Sequence, residues 1–434
     1  MSCLFLCFLD ILAKAFLHKY TETVGVEFMN TSWKKRFILY LTGQALSAFG
    51  SSLVQFAITW HIALLTQSGV MLMLAAVFGF LPQVLISLPA GAWADRFNKK
   101  KLLIIADGSL AITAAILAFL FMTGYEHLWL LFIISAVRSF GLGIRGPAVV
   151  SIIPSLVPME QLARVNGIQA SVSGITTLAA PVLAGGLYAT VGIHALFFGD
   201  VISGVLAISF LCLITIPARD APKSNSMWAS MVDGIKYASG TSWLRLFLII
   251  YVFFSLMFGP VVFLTPLLII RTFGDVAWYL AIRETSLALG MIAGGLLSGI
   301  IAGKFKNKFR LTLLLFGFFG FTTLLLGLSG YFWLFIGIVA LIGITMSLIN
   351  SCAITVFQTF VDSDYLGRVF SVLSIIAGLT MPISMTVFGP LADVVPVEWL
   401  ITISGGVMLI VALFSMRLKA WTAFDNSSAV GNLE

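Results

Sequence analysis

Gly91-Ala-Trp-Ala-Asp-Arg-Phe-Asn-Lys-Lys100 is a short basic turn between two long apolar runs, and the chain contains it twice. At a shift of 208 residues, Gly299-Ile-Ile-Ala-Gly-Lys-Phe-Lys-Asn-Lys308 repeats its glycine, an alanine, its phenylalanine and its last lysine, with Lys304 in the place of Arg96. A second echo lies 204 residues apart. Val157, Leu162, Arg164 and Val165 recur as Val361, Leu366, Arg368 and Val369, and Glu160 is answered by Asp364. The same shift carries Gly185 onto Gly389. Both echoes sit where an apolar run meets a polar turn. Two echoes at nearly one shift imply a duplicated chain, six elements followed by six.

Composition says what those elements are. Of 434 residues 60% are hydrophobic and 10% are charged, against about 25% charged in ordinary soluble domains. Mean hydropathy is +1.06. So little polar surface cannot cover a soluble fold of this length. Four cysteines without regular spacing exclude a secreted disulfide scaffold. The apolar runs reach the roughly 20 residues that a spanning helix needs and lack the short alternating segments of an outer-membrane barrel. Twelve spans are predicted, near 37–65, 70–94, 102–123, 128–150, 163–190, 194–215, 244–270, 278–302, 311–329, 332–356, 369–394 and 397–416. The predicted class is an all-α polytopic membrane protein, with twelve transmembrane helices in two pseudo-symmetric six-helix bundles.

The charges orient it. With both termini on one side, nineteen Lys and Arg residues fall on that side, among them Lys34, Lys35, Arg36, Arg96, Lys99, Lys100, Arg164, Lys304, Arg310 and Arg368. The opposite loops hold Arg271 alone. By the positive-inside rule the basic side is the cytoplasm. The +7 net charge therefore reports topology and contact with anionic lipid heads, and no nucleic-acid partner. The expected division is an N-terminal extension and cytoplasmic start (1–32), a six-helix bundle (33–216), a cytoplasmic linker (217–243), a second bundle (244–420) and a cytoplasmic tail (421–434). Around Met227 to Tyr237 the linker has the mixed polarity of a short interfacial helix. Residues 1–28 fit neither a span nor a signal peptide. Met29 is read as the natural start, or 1–28 as a dispensable extension.

The Gly91, Asp95, Arg96, Lys99, Lys100 loop resembles the signature between spans 2 and 3 of the major facilitator superfamily, with Asn98 in place of its second glycine. Ala180-Pro181-Val-Leu-Ala-Gly185-Gly186 is similar to that superfamily's antiporter motif, and Arg138 resembles the intramembrane arginine of its proton-coupled exporters. Further features resemble the macrolide-efflux type of drug:proton antiporter. They are Trp33-Lys-Lys-Arg-Phe37, Asp107, Pro154-Ser-Leu-Val-Pro158, Phe197-Phe-Gly-Asp200 and Gly367-Arg-Val-Phe-Ser371. The likeness covers about residues 33–420. It implies a secondary exporter of amphipathic drug-like compounds in a bacterial cell membrane, monomeric, driven by the proton-motive force and needing no cofactor. Siderophore or metabolite export, or a non-transporting accessory component, are the alternatives.

Three groups of residues would serve such a cycle. Gly91, Asp95, Arg96, Lys99 and Lys100 form the gating latch that the resemblance implies, with Asp95 accepting hydrogen bonds at a neighbouring helix end in one state. Small residues, many spaced by four, in span 5 (Gly167, Ser171, Gly174, Pro181, Gly185) and span 8 (Gly290, Gly294, Gly295, Gly299, Gly303) let helix backbones approach. The resemblance implies that spans 5 and 8, and 2 and 11, cross between the halves. Ionisable groups inside the membrane are functional candidates by default, since each costs roughly 2.5–3.5 kcal/mol to insert. Asp107, Arg138 and Glu284 are the leading ones for proton coupling. Arg145, Asp200 and Arg283 are charge partners, although Arg283 is expected on a different helix face from Glu284. Low-dielectric surroundings and a nearby arginine pull a carboxylate's proton affinity in opposite directions, which makes it tunable.

The resemblance places spans 1, 4, 7 and 10 around the substrate. Gln44, Gln55, Trp60, His61, Phe254, Phe258, Asn350 and Phe357 are the candidates to line its cavity, aromatic walls with a few polar groups being suited to bulky amphipathic ligands. Other chemistry finds no support. The four histidines are dispersed and the cysteines lack zinc spacing, so no metal is expected. Without a P-loop the chain has no means to use ATP.

Overall fold

The computed structural model describes residues 32–215, 227–304 and 308–417. The 1–28 extension, the start of the linker and the tail lie outside the described residues. Among those described, every regular element is helical: α1 (Ser32–Thr66), α2 (Gly69–Arg96), α3 (Lys99–Met122), α4 (Leu128–Leu156), α5 (Leu162–Val191), α6 (Ile193–Leu213), α7 (Met227–Gly240), α8 (Ser242–Phe263), α9 (Thr265–Phe273), α10 (Ala277–Lys304), α11 (Lys308–Leu328), α12 (Phe332–Phe360), α13 (Ser363–Val394) and α14 (Val397–Met416). Twelve spans are long and apolar enough to cross a membrane. Their ends fall within a few residues of the predicted ones, because turn residues punctuate them: Gly192 at φ +89° between α5 and α6, and Gly124 at φ +78° after α3.

One span departs from expectation. The run predicted as a single helix over 244–270 is broken at Leu264 into α8 and α9. Pro266 has no N–H to give the preceding turn, and it sits in the first turn of α9, where that loss is harmless. Next to the break, Val261 O accepts from Thr265 Oγ1 and, at 3.3 Å, from Arg283 Nη2.

The duplicated sequence yields duplicated packing. In the first half α2 lies on α4, α3 on α4 and α6, and α1 on α5 and α6. In the second half α10 lies on α12, α11 on α12 and α14, and α8 on α13 and α14. The halves meet along α2 with α13 and α5 with α10, the crossings that the resemblance implies. The span-8 glycines serve a different contact, however. A Cβ at Gly290 would lie 2.2 Å from Ala340 O and one at Gly294 2.4 Å from Ile344 O. These glycines therefore admit α12 of their own half, and do not form the seam.

The seam itself tapers. We call the end carrying Lys34, Lys99 and Arg164 the basic face, and the other the far face. Near the far face a Cβ at Gly185 would lie 2.3 Å from Ala281 Cβ, and one at Gly69 2.2 Å from Gly389 O. Towards the basic face, Gly167 and Gly174 of α5 have only open space where a Cβ would stand. The contact is thus tight near the far face, while among the described residues a Cβ at Gly167 or Gly174 would meet nothing within 4 Å. The short helix expected in the linker is present as α7, packed on α13. There Tyr237 stacks on Tyr365 at 4.3 Å and bonds Asp362 at 3.0 Å, and Arg368 lies 3.6 Å from Asp233.

Candidate functional site

The first half buries two ion pairs. Asp107, on α3 and fully buried, accepts from Arg145 Nε of α4 at 3.0 Å and from Ser47 Oγ of α1 at 2.9 Å, both on Oδ1. Arg145 Nη2 reaches on to Gln44 O at 3.0 Å and Gln44 Oε1 at 3.1 Å. Asp107 Oδ2 is buried with no hydrogen-bond partner among the described residues. The second pair lies deeper. Arg138 Nη2 stands 2.7 Å from Asp200 Oδ2 of α6, and its Nη1 bonds Leu110 O at 3.0 Å. Ser51 Oγ lies 3.5 Å from Asp200 Oδ1, and Ser203 Oγ donates to Asp200 O at 3.0 Å.

Sequence explains the geometry. Arg138 and Arg145 are seven residues apart, two turns of one helix, so both leave the same face of α4. Ser47 and Ser51 sit four apart on α1 and address Asp107 and Asp200 in register. A Cβ at Gly50 would lie 1.9 Å from Ser203 Oγ and 2.7 Å from Asp200 Oδ1, so the absence of a side chain lets α1 approach the carboxylate. Removing one partner of such a pair strands the other charge, at a cost of about 3–5 kcal/mol. Protonating the carboxylate also removes the countercharge, leaving the arginine only its carbonyl hydrogen bonds, so a proton at this site weighs directly on how the helices pack.

Glu284 stands differently. Arg283, expected on another helix face, contacts Glu284 directly. Successive helical side chains diverge by about 100°, but a guanidinium on a long flexible stem reaches around. The same Arg283 braces Val261 O at the break in the span. Glu284 therefore has a local countercharge and is less deeply buried than Asp107.

The latch residues divide. Gly91, Asp95 and Arg96 close α2, and their side chains lie outside the described part of the structure. Lys99 Nζ bonds Ser151 O at 3.0 Å; Lys100 Nζ bonds Cys212 O at 3.0 Å and Ile214 O at 2.7 Å. Both lysines satisfy carbonyls near the ends of α4 and α6 in their own half, where a cation also complements the helix dipole. Among the described residues they make no bond across the seam in this conformation. Pro181 and Gly185 are buried, and Gly186 faces Trp278. The antiporter-like motif thus lies on the α5–α10 seam.

The cavity candidates also divide. Trp60, Phe254 and Phe357 are buried in ring packing, against Phe56, Phe316 and Phe247 respectively, and do not border open space. Phe258 packs on Phe319. His61 is tied through Nδ1 to Tyr188 Oη at 2.9 Å, and Gln44 belongs to the Arg145 cluster. Gln55, half-buried beside Gly79 of α2, and exposed Asn350 remain available. Sequence reasoning passed over Asp393 at the end of α13. It accepts from Ser68 Oγ at 2.7 Å, Gly69 N at 2.6 Å and Val70 N at 3.0 Å, all across the seam. Its signal was a single acid inside an apolar run.

Twelve spans in two repeated halves, with ion pairs buried between their helices, are the architecture of a membrane transporter. The pattern of the Major Facilitator Superfamily matches residues 40–381, and the chain belongs to that family. It is 28% identical over 387 residues to macrolide efflux protein A of Streptococcus pyogenes, covering 88% of this chain and 95% of the relative. It is 24% identical to the uncharacterized MFS-type transporter YfiS of Bacillus subtilis (strain 168), covering 88% and 93%. Its fold is similar to a bacterial homologue of the iron transporter ferroportin in an inward-facing state, with a TM-score of 0.66 at 15% identity over 89% of this chain and 100% of the other. A bacterial homologue of the lysosomal transporter Spinster, inward-facing and unoccupied, gives 0.63 at 15% identity over 92% and 96%.

Proposed function

We propose that this protein is a proton-driven exporter of amphipathic drug-like compounds, macrolides foremost, working by alternating access. The substrate class rests on the similarity to macrolide efflux protein A along most of both chains. Proton coupling is carried by one observation, the Asp107–Arg145–Ser47 cluster with its second carboxylate oxygen buried and unmatched. That oxygen takes a proton without displacing a partner. The neutral acid then releases Arg145 to Gln44, and three helices of the first half lose a shared restraint. Two packings of nearly equal energy need only a few kcal/mol to exchange, and such a restraint is of that size. The basic face is taken as cytoplasmic on the charge asymmetry.

The test is macrolide susceptibility of an efflux-deficient host expressing the chain, with and without a protonophore, alongside drug transport in vesicles carrying a pH gradient. Resistance that the protonophore abolishes supports the reading. Resistance that survives it removes the coupling. Unchanged macrolide susceptibility with altered siderophore secretion would transfer the substrate to the siderophore class. Asp107→Asn is expected to abolish gradient-driven transport while exchange of drug for drug persists.

A further inference from the structure

The far face is closed by a carboxylate seated on the start of a helix, and this contact links the two halves. Ser68 is the N-cap of α2, its Oγ accepting from Met71 N at 3.4 Å. The first backbone N–H groups of a helix have no partner inside it and form its positive end. Two of them, Gly69 N and Val70 N, donate to Asp393, as does the capping hydroxyl itself. Asp393 belongs to α13 in the second half. Arg271 of α9 completes the contact, donating through Nη2 to Gln67 O at 2.6 Å and through Nη1 to Ala392 O at 2.7 Å, with Asp393 Oδ1 at 3.5 Å.

The backbone is shaped for this contact. Gln67 holds φ +46°, a conformation that non-glycine residues adopt seldom and that local strain usually accompanies; its carbonyl is the one Arg271 takes. The near collision of Gly69 with Gly389 shows how little room the seam leaves. Arg271 was the one basic residue that the charge asymmetry left on this face. It is spent on bridging the halves.

We propose that Asp393 and Arg271 form a far-face latch that must open once in every cycle, reciprocal to the Asp95 latch of the basic face. Helices α2 and α13 are antiparallel neighbours. Asp393, at the end of α13, caps Gly69 at the start of α2 on the far face, and Asp95, near the end of α2, lies at the face where α13 begins at Ser363. If the halves rock about the middle of this pair, closing one latch draws the other apart. The inference rests on the alternating-access part of the proposed function, not on the substrate.

The test reads shape. Nitroxide labels at Tyr125→Cys and Tyr331→Cys, exposed in corresponding far-face loops, report the opening by pulsed dipolar spectroscopy in lipid vesicles, in a chain whose native cysteines are replaced. Asp393→Ala should raise the open-to-closed ratio about tenfold, the scale of a lost cap and its charge. Arg271→Gln should act in the same direction, and Asp95→Asn in the opposite one. An unaltered distance distribution in Asp393→Ala overturns the latch. Should that variant fail to fold, Ser68→Ala decides, with a shift of roughly threefold expected and no shift overturning it. A far face that opens as described in a protein that exports no macrolide leaves the latch standing and defeats the substrate assignment. Export that proceeds while all these variants keep the native distribution defeats the latch alone.

Discussion

Helices α4 and α6 carry Arg138, Arg145 and Asp200 into the first half, and their counterparts in the second half carry none of these charges. Helices α4 and α12 start at Leu128 and Phe332, and α6 and α14 at Ile193 and Val397, one 204-residue shift in both cases. That shift places Ile342, Ile349 and Ser404 where the first half has Arg138, Arg145 and Asp200. Helix α11 meets α14 through glycines instead: a Cβ at Gly405 would lie 2.3 Å from Leu324 N, and one at Gly320 2.6 Å from Leu409 N. The corresponding α3–α6 contact is looser, a Cβ at Gly204 standing 3.0 Å from Ala111 Cβ. One fold thus holds a zipped half and a half pinned by charges. A zipped interface has one good packing, whereas a pinned one would change with a proton under the proposed coupling.

Exchanging residues between the halves tests this contrast. Arg138→Ile, which imports the second-half residue, should be the most damaging change, costing about 3–5 kcal/mol through the stranded Asp200 and seen as lost folded yield in detergent. Adding Asp200→Ser should restore most of that stability but not proton-coupled transport. A double variant that transports normally would make the pair purely structural. Gly405→Ala should cost about 1–3 kcal/mol through backbone overpacking, measured by thermal unfolding. Gly204→Ala should cost less than Gly405→Ala, since only a methyl must yield; equal losses would erase the difference between the seams. Ser51→Ala should be the smallest, under about 0.5 kcal/mol, because its 3.5 Å contact with Asp200 is at the limit of a hydrogen bond.

The spans, the repeat and the Asp107–Arg145 neighbourhood were legible because they rest on local features: run length, turn residues and the depth of a charge along its own helix. The partnership of Arg138 with Asp200 was not, since it depends on how far α6 is rotated against α4. Two partners were not legible, for one cause. Lys99 and Lys100 bond carbonyls at the ends of α4 and α6 in this conformation, and the close approach allowed by Gly290 and Gly294 is to α12. Spacing announces that a residue type is needed on a face but not which neighbour that face meets. Asp393 is the extreme case. Its meaning lies in backbone groups more than 300 positions away, and its own surroundings in the sequence give only an acid near the end of an apolar run.

The break at Leu264 gives the molecule a lever. Helix α9 has nine residues, about 13 Å at 1.5 Å per residue, and Arg271 rides near its tip. Swinging this arm by roughly 10° about the break displaces the tip by about 2 Å over that length, enough to take Arg271 off both of its carbonyls. Under the proposed latch, this short arm would carry Arg271 off its carbonyls while the long shaft of α8 keeps its bearing on α13, and Arg283, bonded to Val261 O, braces the break.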